Sequence, residues 1–196
     1  MRIRYLRYGM HELERQEEED KRIIKLQLRR KRLQPIVRVV KRCNRGFPQV
    51  VLNLPTICGK VWFPTIFWLT CPYLHYKISR IEGRGFIKVL EEKISHSPFL
   101  KDLLLDDQKE CIFIKEAYFS FLRIYDPYGR IFFKKGIGGV SRFDKIKCLH
   151  LHYAFYIALG KGFVGSMVRK EIENEKDDPF FCGDEFANYC GRRYSK

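Results

Sequence analysis

The sequence predicts an α+β fold: a single, mainly helical domain with a small antiparallel sheet and one central buried helix. Three observations carry this expectation. Two short runs rich in β-branched residues, "IVRVV" (36–40) and "QVVLNL" (49–54), flank "KRCNRGFP", which has the Gly and Pro of a turn, and so predict a hairpin. Helical periodicity extends over the longer spans 72–125 and 145–175. Within the second, "LHLHYAFYIAL" (149–159) is apolar on every side, the pattern of a helix surrounded by core. A chain of 196 residues buries about 70% of its unfolded surface, so the fold needs no disulfide support.

The elements follow in order. Residues 11–33 read as one long charged helix with sparse apolar positions at Leu13, Ile23, Ile24, Leu26, Leu28 and Leu33, stopped by Pro35 and with its first half free to project. After the hairpin, "VWFPTIFWLTC" (61–71) is strand-like, and Pro64 restricts it to an edge strand or a bulge. "CPYLHYKISRIEGRG" then turns helical, with Pro72 at the favoured first position and Gly83 or Gly85 closing it; Cys71 or Thr70 becomes the N-cap. Ser97 before Pro98 restarts the helical pattern. "DPYGRIFFKKGIGGVSRFD" (126–144) is a loop with four of the 14 glycines, and helices follow from Lys145 through Gly160 and over about 164–175. These elements define a charged arm over 1–20, a domain over 21–176 and an irregular tail over 177–196.

Composition bounds the function. No apolar run reaches the roughly 18 residues a membrane span needs, and "MRIRYLRYGM" carries charges where a signal peptide is apolar, so a cytoplasmic protein outside the membrane is expected. Seven cysteines without an export signal favour reduced thiols or metal ligands over a disulfide framework. The formal charge of +15 is concentrated in Lys21–Arg42, which has ten Lys or Arg and no acid, while residues 11–20 hold six acids. Such a block suits RNA, DNA or another anionic partner, because neutralised phosphates release counterions. A solvated helix face with acids early and bases late, complementing the helix dipole, is the alternative.

The chemistry-bearing cluster is "KCLHLHYAF" (147–155). On a helix, Cys148 and His152 lie about 40° apart and share a face, while His150 lies about 200° from Cys148. Cys148 and His152 therefore have a spacing that lets two ligands reach one ion. Further thiols sit where they can converge: Cys43 in the hairpin turn, Cys71 at a helix start, and Cys182 and Cys190 in the tail. A site of Cys43, Cys71, Cys148 and His152 (or His150) would hold zinc or an iron–sulfur cluster. The alternative is an enzyme acting on a phosphorylated or anionic substrate, with Cys71 as nucleophile or redox thiol and His150 or His152 as base. Gly136, Gly138, Gly139, Arg42 and Lys147 would then cradle the anion. An RNA-binding protein using Lys21–Arg42 is a third reading.

Taken together, "RC" with "G-x-P-x-V" (42–50), "FPTIFWLTCPYL" (63–74), "GIGG" (136–139) and "KCLHLHYA" (147–154) resemble the bacterial family catalogued as domain of unknown function number 501, from about Gln27 to about Val168. The resemblance implies no activity. It points to Arg42, Cys43, Thr65, Cys71, Pro72, Gly138, Gly139, Lys147, Cys148, His150 and His152 as motif positions. Similar proteins usually carry Asn-Pro-Val-Gly where this chain has "GFVG" (162–165), so Gly162 and Phe163 depart from the pattern.

Overall fold

A computed structural model describes residues 16–33, 36–53, 56–57, 60–61, 65–121 and 134–175. Among them are helices α1 (16–28), α2 (Pro72–Gly83), α3 (Phe86–Ser95), α4 (Pro98–Phe121), α5 (Leu149–Leu159) and α6 (Phe163–Asn174). Strands β1 (Ile36–Arg42), β2 (Pro48–Asn53) and β5 (Phe67–Leu69) form an antiparallel sheet in the order β1-β2-β5, and β3 (Thr56–Ile57) pairs with β4 (Lys60–Val61). The predicted α+β class, with its hairpin and edge strand, is what forms. Pro64, Cys58, Cys182, Cys190 and the tail over 177–196 lie outside the described residues, as do residues 1–15 of the arm.

The helix boundaries follow local chemistry. Ser97 caps α4 by accepting the Leu100 N–H at 3.3 Å on its hydroxyl. Gly85, at φ +80°, supplies the left-handed residue between α2 and α3. α1 stops at residue 28 instead of near Pro35 because Arg29 turns left-handed (φ +52°), and its own and Arg30's N–H groups return to Leu26 O and Lys25 O.

Nor does the described part of α1 project. Asp20, Ile23, Ile24 and Gln27 are buried. Gln27 Nε2 donates to Pro48 O at 2.9 Å, and Arg30 lies 4.7 Å from the ring centre of Trp68. Val51 and Trp68 are register partners in the sheet. Val50, Leu52, Phe67 and Leu69 belong to the main core with α5. Leu149, His152, Tyr153, Ala154 and Phe155 of α5 are all buried, so the expected central helix is present.

α5 begins four residues later than expected. Cys148 is its N-cap, in extended conformation (φ −165°, ψ 130°). The preceding segment is held off the helix by other elements: Glu91 of α3 accepts the Ile146 N–H at 3.0 Å and the Lys145 ammonium at 3.1 Å, and Lys147 Nζ donates to Gly138 O at 2.9 Å. Backbone donors satisfied by distant side chains have no need of an extra helical turn.

Candidate metal centre

The late start of α5 changes which side chains meet. With Cys148 on extended backbone, the shared-face geometry expected for Cys148 and His152 does not form; Cys148 meets His150 instead, its Sγ 3.4 Å from His150 Nδ1. Glu82, near the end of α2, completes the group. Its Oε1 lies 3.4 Å from the same Nδ1 and accepts the Leu149 N–H at 2.5 Å, so a carboxylate from α2 caps α5. The ligand atoms of Glu82, Cys148 and His150 all lie within 4.8 Å of one another.

Hydrogen bonding orients the imidazole. His150 Nε2 lies 3.2 Å from His75 O and 3.3 Å from Ser79 Oγ. A carbonyl can only accept, so Nε2 carries a proton, and Nδ1 is the ring nitrogen that faces sulfur and carboxylate. The His75 ring stacks on His150 with centres 4.7 Å apart, and its own Nε2 lies 2.8 Å from Leu69 O. Burial lowers the His75 pKa, opposed by the Leu69 carbonyl. Burial raises that of Cys148; the Leu151 amide pulls it down and the Glu82 charge raises it. The site therefore brings a thiol, an imidazole Nδ1 and a carboxylate together.

His75, Ser79 and Glu82 follow one stripe of α2 at spacings of four and three, which is the signal the sequence offered and the reading missed. Nothing local could connect that stripe to Cys148, across 66 residues.

The remaining expected residues lie elsewhere. His152 is 1% exposed, neither ring nitrogen has a hydrogen-bond partner among the described residues, and burial lowers its pKa to about 4. Cys43 and Cys71 line a separate pocket where the hairpin turn meets the start of α2. Cys71 is the N-cap of α2, as expected, and is 4% exposed.

The glycine-rich loop is largely committed to the chain itself. Gln108 Oε1 accepts the Ile137 N–H at 2.6 Å, and the Gly136 and Gly139 N–H groups bond to Val140 O and Gly136 O. A Cβ on Gly136 would fall 2.0 Å from Gln108 Oε1, and Gly138 is left-handed (φ +73°); both glycines serve close packing, and Lys147 anchors the loop. Arg42 is held by Asp20 in a two-pronged pair at 2.6 and 2.8 Å. Within the basic block, Lys21 and Arg22 pair with Glu18 and Glu19, so acids from the preceding stretch neutralise part of the charge expected to meet nucleic acid.

Among the described residues, no helix is long and apolar enough to cross a membrane. A family model described as a protein of unknown function, DUF501, matches residues 39–170, which include the Glu82–Cys148–His150 group and begin after α1. No curated protein and no solved structure gives a match.

Proposed function

We propose that this chain, which belongs to the DUF501 family of proteins of unknown function, binds a divalent metal through Cys148 Sγ, His150 Nδ1 and the Glu82 carboxylate, with zinc as the ion that suits these donors. One observation carries the reading: the two contacts of 3.4 Å made by His150 Nδ1. Zinc bonds of about 2.3 Å to sulfur and about 2.0–2.2 Å to nitrogen and oxygen, at a tetrahedral angle, place ligand atoms roughly 3.4–3.6 Å apart. These two distances are close to two edges of such a tetrahedron, and the third pair of ligand atoms lies within 4.8 Å.

The surroundings support the same reading. A metal-bound imidazole donates its other N–H to an oxygen that fixes the ring, the role His75 O has for His150. Three side chains that can each give an electron pair to a metal converge here. One thiolate with one imidazole and one carboxylate fits zinc better than an iron–sulfur cluster, which is held by several cysteine thiolates. The His150 and Glu82 side chains are 14% and 25% exposed, enough for an ion and a fourth ligand to enter. A bound zinc would supply Lewis acidity and a lowered pKa for any water it holds.

Elemental analysis of the full-length protein tests the reading. Zinc near stoichiometry, lost in Cys148→Ser and in Glu82→Gln, is the expected result. Metal-free protein that takes up no zinc on titration contradicts it.

A further inference from the structure

We infer that the end of α1 and the turn that follows it form a docking surface for a single-stranded nucleic acid. Lys25, Arg29, Arg30, Lys31 and Arg32 are all exposed there, and the sequence has no acid between Lys21 and Arg42. Lys21 and Arg22 are offset by Glu18 and Glu19, one turn earlier on the helix. The compensation ends at that point. Lys25, Lys31 and Arg32 form no ion pair among the described residues, which leaves a dense block of positive charge facing solvent.

The fold holds these cations in place. Asp20 ties α1 to Arg42 of β1, Gln27 ties it to the Pro48 carbonyl of β2, and Ile23 and Ile24 are buried, so the helix is fixed to the hairpin. Arg29 is left-handed (φ +52°), and the N–H groups of Arg29 and Arg30 return to the Leu26 and Lys25 carbonyls, so the run Arg29–Arg32 leaves the helix in an ordered turn. At about 1.5 Å of rise per helical residue, Lys25 and Arg32 lie roughly 10 Å apart, about one screening length in 0.1 M salt. Like charges this close repel one another and together attract a chain of phosphates, whose counterions are released on contact. Arg30, 4.7 Å from the ring centre of Trp68, is a planar guanidinium held in position, on which an unpaired base can stack. Arg38 and Lys41 of β1 add exposed cations on the hairpin to which α1 is tied. A bilayer fits less well, because it takes up the apolar face of a helix and α1 buries both isoleucines, leaving Leu26 41% exposed. None of these residues overlaps Glu82, Cys148 or His150, so this inference stands or falls independently of metal binding.

The test follows the fluorescence anisotropy of a short labelled single-stranded RNA titrated with the full chain, from about 50 mM to 200 mM salt. Poly-glutamate and phosphatidylserine vesicles serve as competitors. Because any protein of charge +15 attracts polyanions, two sets of three reversals with the same change in net charge are compared. Lys25→Glu, Lys31→Glu and Arg32→Glu should weaken binding about tenfold or more and lower the slope of log K against log salt by about 2, at about 0.7 per phosphate contact. Lys88→Glu, Lys93→Glu and Lys101→Glu, at exposed positions of α3 and the start of α4, should weaken it far less. Replacing Lys25, Lys31 and Arg32 by Gln carries the same comparison should reversal disturb folding. Three results would each overturn the inference: no RNA binding at the lowest salt, equal losses in the two sets, or competition by poly-glutamate or vesicles that matches unlabelled RNA.

Discussion

The start of α5 and its middle carry two histidines, separated by one leucine, in contrasting surroundings. His150 is oriented by His75 O and Ser79 and turns its other nitrogen to Cys148 and Glu82. His152 is buried, and neither of its nitrogens has a hydrogen-bond partner among the described residues. The chemistry of an imidazole is thus set by the acceptors that other elements bring to it. α2 brings such acceptors to the first turn of α5, and the elements packed around its middle bring hydrocarbon.

The largest expected effect concerns how rigidly the His152 region is packed. A Cβ at Gly165 would lie 2.2 Å from Tyr156 Cβ and 2.6 Å from His152 O, so α6 crosses α5 at backbone contact. Gly165→Val should cost about 3 kcal/mol or more, since overpacking against backbone has no soft side chain to absorb it. Urea denaturation measures this. Unchanged stability would mean that the region around His152 is loose.

The next effect is the pH dependence that His152 confers. Burial lowers the His152 pKa to about 4, below the value of about 6.5 in an unfolded chain. Between these values the unfolded state binds the extra proton, so this contribution is intact above pH 6.5 and declines as the pH falls toward 4, by on the order of 3 kcal/mol in all. Asp107 of α4, which accepts the Phe163 N–H at the start of α6, is raised by burial to about 6 and acts in the opposite direction over much of the same range. The informative quantity is therefore the difference between parent and His152→Leu. The variant should lose less stability on acidification, in denaturation curves taken at pH 7 and pH 4.5. Identical pH profiles would show that His152 is not a buried neutral base.

A smaller effect is expected at the start of α5. Cys148 is only partly buried and serine is a good N-cap. In the presence of chelator, Cys148→Ser should change stability by less than about 1 kcal/mol, measured by thermal unfolding. A large loss without metal would make Cys148 a packing residue rather than a ligand.

Much of the fold was legible because its punctuation is local. Pro72, Gly85 and the Ser97-Pro98 pair act through their own backbone chemistry, and the all-round apolar pattern of α5 survives into the structure. Where distant side chains decide a boundary, the sequence pattern misleads. Glu91 holds the segment at Ile146 off the helix, and this moves the start of α5 from Lys145 to Leu149. That shift takes Cys148 off the helix and replaces the expected partner His152 with His150. Glu82 was illegible for the same reason, since its role depends on α2 lying against the start of α5.

Cobalt(II) titration of the full-length protein, followed by the thiolate-to-metal absorption band, compares the two histidines directly in parent, His150→Ala and His152→Leu. The expected result is a saturable band in parent and in His152→Leu, where an apolar side chain replaces an unsatisfied buried ring, and none in His150→Ala. A band that persists in His150→Ala, or that disappears in a folded His152→Leu protein, would contradict the assignment of the metal to Cys148, His150 and Glu82.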